Sequence, residues 1–151
     1  MTIRGNVDLI CVPPHMFGEV WQRCGHILLR GMHAARDVPV LATMDAIRFG
    51  QVQLWLVTRD DGQNGDVLAA FLTQIIDYHD DGRWVSLFAL AGRRPRLWAS
   101  MVGERMDAYA KVEGARGFRF CGKRGWERAL PRAVIVGERA PGVFAFQRSA
   151  P

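Results

Sequence analysis

The stretch Ala91-Gly92-Arg93-Arg94-Pro95-Arg96 sets three guanidiniums between an apolar run and an amphipathic one. A glycine and a proline there make a turn, and a helix opening beyond it offers unpaired N–H groups and the positive end of its dipole. Anions bind at such junctions, and arginines add charge-assisted hydrogen bonds, so one reading is a phosphate-bearing ligand. The other is a plain turn with solvated arginines, and the stretch by itself does not choose between them. A second set, Cys11, His15, Cys24 and His26, has none of the paired C-x-x-C or H-x-x-x-H spacings of a zinc site. Core cysteines and histidines at helix ends are therefore expected, and no metal. A third, Arg93, Arg94, Arg96, Lys123 and Arg124, lacks the interleaved aromatics of a stacking platform, so nucleic acid is not an expected partner.

Composition bounds the scaffold. A chain of 151 residues with 49% apolar residues is long enough for one domain with a proper core, taken here as 1–151. Lys and Arg number 20 against 15 Asp and Glu, and the resulting net charge of +5 favours anionic ligands without matching dedicated nucleic-acid binders. Only Lys111 and Lys123 are lysines, a bias that fits bidentate phosphate recognition and a GC-rich genome equally well. No apolar run has the length of a membrane span or of a signal-peptide core, so an intracellular protein away from membranes is expected. Three cysteines without framework spacing predict buried free thiols in a reducing compartment.

The positioning elements follow from periodicity and punctuation. Val7 to Val12 is a strand stopped by Pro13-Pro14. Phe17, Val20, Trp21, Cys24, Ile27 and Leu28 recur at helical steps, with Gly31 as the expected end. Leu41, Met44 and Ile47 give a short second helix closed by Gly50. Strands are predicted from Val52 to Val57, Val67 to Tyr78 and Arg83 to Ala91, with a hairpin loop at Asp60–Gly65 and a turn at Asp80-Asp81-Gly82. Both faces of the third are apolar, which places it inside a sheet. A helix then carries Trp98, Met101, Val102, Met106, Tyr109 and Ala110 on its dry side, with Asp107 and Lys111 as a solvent-side pair, ending at Gly114 and Gly117. A short strand at Phe118 to Cys121, a helix from Gly125 to Leu130 with Trp126 and Leu130 buried, and a hairpin of Val134 to Val136 with Val143 to Phe146 complete the chain.

This order resembles that of the GNAT N-acetyltransferases. The words Gln53-Leu54-Trp55-Leu56-Val57, Ala70-x-x-Thr73-x-Ile75-x-Asp77-Tyr78, Leu90-Ala91-Gly92 and Gly122-Lys123-Arg124-Gly125-Trp126-Glu127-Arg128-x-Leu130-Pro131 resemble the GNAT-like proteins encoded by bacteriophages. The likeness covers nearly the whole chain and is most specific from Gly122 to Pro131. It implies an α/β (α+β) fold: a mixed, mostly antiparallel sheet of about seven strands with helices on both faces. It also implies acetyl-CoA as cofactor, its pantetheine arm along Leu90 and Ala91, and its phosphates near Gly92, Arg93, Arg94 and Arg96, with Lys123 and Arg124 as further basic contacts.

Two departures from the family pattern bear on activity. The usual phosphate loop has a spaced pair of glycines that lets backbone N–H groups approach, whereas this chain has Gly92 alone and Pro95 removes one donor. Transfer to an amine also needs a group to take the amine proton and one to return a proton to the thiolate. No tyrosine or cysteine stands from Trp126 to Leu130, where the family often places the acid, and the nearest base candidates are Asp77, Tyr78 and His79. The expected function is thus a phage GNAT-fold protein with degenerate catalytic residues in a structural or interaction role. Its partners would be other phage structural proteins, and its place the host cytoplasm or the virion. The alternative is an active acetyl-CoA-dependent N-acetyltransferase acting on a host protein or small amine.

Overall fold

Local punctuation fixes most element boundaries. The β-branched run forms β1 (Val7–Val12), and the prolines turn it through a 3-10 turn at Pro14–Met16. α1 (Phe17–Ala34) and α2 (Val40–Arg48) follow, and Gly50 takes the left-handed φ of +76° that closes the second. Next come β2 (Gln53–Arg59), β3 (Asp66–Tyr78) and β4 (Gly82–Gly92). A 3-10 turn at Pro95–Leu97 leads into α3 (Ala99–Val112), β5 (Gly117–Gly122), α4 (Trp126–Ala129), β6 (Val134–Ala140) and β7 (Val143–Ser149). The computed structural model describes residues 6–35, 38–59 and 66–151; the expected loop at Asp60–Gly65 and the link at Asp37 lie outside the described residues.

Seven strands form one mixed sheet in the order β1-β2-β3-β4-β5-β7-β6. β1 with β2, β2 with β3, β5 with β7 and β6 with β7 run antiparallel, and β4 with β5 runs parallel. The chain comprises two compact units, Met1–Thr73 with Phe88–Arg94 and Gln74–Leu87 with Pro95–Pro151.

In the first unit, Phe17, Cys24, Leu28 and Met32 of α1 and Ile47 of α2 share a core with Val12, Leu54, Leu56, Ala70, Leu72 and Ala89. Burying such aliphatic side chains contributes about 1.5–3 kcal/mol each before chain entropy is subtracted. Two buried polar side chains pair with each other: the Trp55 indole donates to Thr73 Oγ1 at 2.8 Å, and the Thr73 hydroxyl donates to Gln53 Oε1 at 3.2 Å. The register sets Trp55 opposite Phe71, and their rings stack with centroids 6.0 Å apart.

In the second unit, α3 lies against β5 and buries Ala99, Val102, Met106 and Ala110. Phe120 and Phe146, opposite each other on β5 and β7, stack at 4.8 Å. Around the β3–β4 turn, Arg119 lies 4.1 Å from the Trp84 ring and 5.0 Å from that of Tyr78, and its guanidinium bonds the Asp81 carboxylate.

Several local expectations are corrected by packing. Gly31 does not end α1, which continues to Ala34; its missing Cβ is the space occupied by the Ala89 carbonyl. Leu41 is 79% exposed, because Thr43 and Ile47 form the inner side of α2. Gly117 opens β5 instead of closing α3, since a Cβ there would meet the Arg148 carbonyl oxygen at 2.1 Å. Asp107 is buried, drawn in by two arginines, and does not pair with Lys111. Trp126 is only half-buried, resting on Phe120 and Trp98, while Leu130 is buried as expected. Of the cysteines Cys24 is buried, but Cys11 and Cys121 are exposed.

Candidate functional site: the end of the central strand

β4 is interrupted at Ala89, whose φ is +55°. A left-handed alanine inside a strand is strained and persists only where its surroundings hold it. One consequence is visible in the packing: Phe88, Ala89 and Ala91 all touch the core beneath α1, which strict alternation forbids. α1 makes this possible, because Gly31 lets the helix backbone close on the Ala89 carbonyl. No sequence signal announces a left-handed alanine. The apolar alternation from Trp84 to Ala91 reads as an ordinary strand, and only Gly31 in the middle of a helical pattern hints at a close approach.

The partner on the other edge of β4 is short. Among the described residues, β4 pairs with β5 only at Val85↔Phe118 and Ser86↔Arg119, although β4 runs on to Gly92. The backbone of Leu90 and Ala91 therefore has no β5 partner, and an extended ligand with amide groups can take the place of a strand there.

The junction after β4 departs from a glycine-built phosphate cradle. Gly92 is needed for packing: a Cβ would lie 2.4 Å from the Ala69 Cβ and 2.5 Å from the Leu68 carbonyl oxygen. The Arg93 N–H donates to the same Leu68 oxygen at 2.8 Å, and its guanidinium bonds Asp66. Arg94 has a left-handed φ of +57° and is exposed. Arg96 lies in the 3-10 turn that delays α3 until Ala99. Neither Arg94 nor Arg96 makes an ion pair among the described residues. Lys123 and Arg124 are exposed in the turn after β5, with Arg124 set 4.8 Å over the Phe144 ring.

The three proton-transfer candidates stand at the end of β3 and in the turn before β4, and not at the far end of β4. Asp77 accepts two hydrogen bonds from Arg83, at 2.7 and 3.3 Å, and this pairing holds its carboxyl below the usual carboxylate range. That makes it a weak base. Tyr78 is exposed, with Arg119 set 5.0 Å over its ring, and the His79 side chain is 99% exposed. Neighbouring Asp81 is also lowered, by the hydrogen bond from Arg119. Among the described residues, no group of His, Cys, Asp and Glu could hold a metal ion, and no helix is long and apolar enough to cross a membrane.

These observations test the fit of CoA. The β4 backbone beyond Ser86, which has no β5 pairing among the described residues, suits the amide groups of a pantetheine arm, and the exposed Arg94 and Arg96 suit phosphate oxygens. The backbone cradle fits poorly, since Arg93 spends its N–H on Leu68 and Pro95 has none.

The mixed, mostly antiparallel seven-stranded sheet with its helices is the fold of the GNAT N-acetyltransferases. Aminoglycoside 6'-acetyltransferase type Ii superposes with a TM-score of 0.66 at 9% identity, over 95% of this chain and 97% of that one. A GNAT-family acetyltransferase of Streptococcus agalactiae matches at 0.54 and 13%, over 99% and 98%. An acetyltransferase of Clostridium acetobutylicum, solved with acetyl-CoA, matches at 0.56 and 11%, over 82% and 86%. No protein-family model and no curated protein sequence matches the chain. At these identities the likeness is one of fold, and it carries no bacteriophage or virion link.

Proposed function

We propose that the chain binds acetyl-CoA and transfers the acetyl group to an amine. The observation that carries this is the end of β4, where a left-handed Ala89 and the lack of a β5 partner leave backbone groups at Leu90 and Ala91 for an extended ligand. Arg94 and Arg96 follow Gly92 closely in the chain and supply charge for the phosphates. Arg93 takes a lesser part than the sequence suggests, because Asp66 already holds its guanidinium.

The thioester supplies the acetyl group. As the amine nitrogen bonds to the acyl carbon it must lose a proton, and the departing sulfur must gain one. Asp77 is committed to Arg83, and His79 precedes β4 while Leu90 and Ala91 end it, so water is the proposed acceptor of the amine proton. With no tyrosine or cysteine from Trp126 to Leu130, water returns the proton to the thiolate.

A second reading, a fold kept for a non-catalytic structural or interaction role, is favoured by one observation: the engagement of Asp77 and of the Arg93 N–H leaves both chemistry and phosphate cradle reduced. Calorimetric titration with acetyl-CoA, followed by a thiol-release assay with a panel of amines, separates the two. Micromolar binding with thiol release is expected. Replacing Arg94 and Arg96 together by Ala should weaken binding at least a hundredfold, since two charge-assisted hydrogen bonds are worth roughly 1.5–3 kcal/mol each. Dephosphorylated pantetheine should not notice the change. Binding without thiol release supports the second reading, and no binding at millimolar ligand removes the cofactor from both.

A further inference from the structure

The second unit contains a charged cavity that shares no residue with Leu90–Arg94. It measures about 480 Å³ and is lined by Ser100, Glu104, Asp107 and Lys111 on one side of α3, with Arg132 and Arg148 across from them. That volume lies in the range of small-molecule sites.

Its floor is an ion triad whose Asp107 and Arg148 are buried and whose Arg132 is half-exposed. Arg148 and Asp107 have side chains only 5% and 10% exposed, and Asp107 Oδ2 accepts from Arg148 Nη2 at 2.7 Å and from Arg132 Nη2 at 2.5 Å. Gly103 makes room for the deeper guanidinium, since a Cβ there would meet Arg148 Nη1 at 2.6 Å. The triad is incomplete in its hydrogen bonds: Asp107 Oδ1 and Arg148 Nε are buried with no partner. Buried polar atoms are nearly always satisfied, so each of these points to a group from outside the chain. Arg132 adds a strained backbone, with φ at +68°. At the rim, Glu104 and Lys111 are exposed and make no ion pair among the described residues.

The lining holds both signs of charge, and this selects the ligand. A simple anion would meet the carboxylates of Glu104 and Asp107, and a simple cation would meet Lys111 and Arg132. We infer that this cavity binds a small zwitterion of the α-amino-acid class, its carboxylate on Lys111 and Arg132 and its ammonium toward Glu104 and Asp107.

The test uses the whole chain, isotopically labelled, and amide chemical shifts on titration with three probes of one skeleton. L-norvaline carries both groups, valerate lacks the ammonium and butylamine lacks the carboxylate. Norvaline should saturate at millimolar concentration, with shifts confined to α3, the segment around Arg132 and the end of β7, while the other two fail to saturate. Lys111→Gln should weaken norvaline binding about tenfold, the worth of one charge-assisted hydrogen bond. Because Lys111 is exposed, its melting temperature should be that of the wild type; Glu104→Gln is the second variant, with the same expectation. Failure of norvaline to saturate, equal binding of valerate or butylamine, shifts elsewhere, or unchanged affinity in both variants overturns the assignment.

Discussion

Replacing Gly31 by Ala tests whether the approach of α1 holds β4 in its strained conformation. The added Cβ would lie 2.1 Å from the Ala89 carbonyl oxygen and 2.7 Å from the carbonyl carbon. Carbon and oxygen in contact stand about 3.3 Å apart, so roughly 1 Å has to be found by moving backbone. Overpacking of this kind costs about 1–3 kcal/mol, and with backbone as the obstacle the upper half of that range applies. Alanine's better helix propensity returns up to about 1 kcal/mol, leaving a net loss of roughly 1–2 kcal/mol. Gly18 provides the control: it lies in the same helix with nothing within 4 Å of its missing Cβ, so Gly18→Ala reports propensity without the clash. Urea unfolding of both variants measures the two shifts in midpoint, provided the slope is unchanged. The wild type should fall between a slightly more stable Gly18→Ala and a clearly less stable Gly31→Ala. Equal stability of the two variants would refute the contact, and with it the explanation of how Ala89 is held.

Acid should destabilise the protein through the turn between β3 and β4. Asp77 and Asp81 have folded-state values below their ordinary 3.8, so their contribution is fully present above that value and is lost as pH falls below it; Asp77→Asn and Asp81→Asn should flatten the acid limb of a melting-temperature profile. Asp107→Asn leaves the buried Arg148 guanidinium without its counter-charge and should cost about 3–5 kcal/mol in denaturant unfolding. A cost below 1 kcal/mol would mean that water reaches the triad freely. Burial pushes the Cys24 thiol up to about 11. Alkylation of the native protein near neutral pH should therefore modify the exposed Cys11 and Cys121 and spare Cys24 until the chain unfolds, as peptide mass mapping will show.

Much of the scaffold is legible along the chain. β1 has the bounds its apolar run predicts, and β4 extends the expected Arg83–Ala91 by one residue at each end. Gly50 and Gly114 take the left-handed conformations expected of helix ends, with φ of +76° and +67°. These features depend on near neighbours: side-chain alternation and the conformational limits of glycine and proline act over a few residues, so the sequence displays them directly. The site is different. Gly31 and Gly92 lack a Cβ because backbone from distant elements fills the space, and Ala89 is held left-handed by a helix more than fifty residues earlier. Arg93 is taken by Asp66, 27 residues away, and Asp107 is drawn inside by Arg148, 41 residues away. Composition and spacing by themselves specify that arginines follow the central strand. Which of them stays available to a ligand is decided by pairings that exist only once strands and helices have closed over long loops, because charge and volume are satisfied in space and not along the chain.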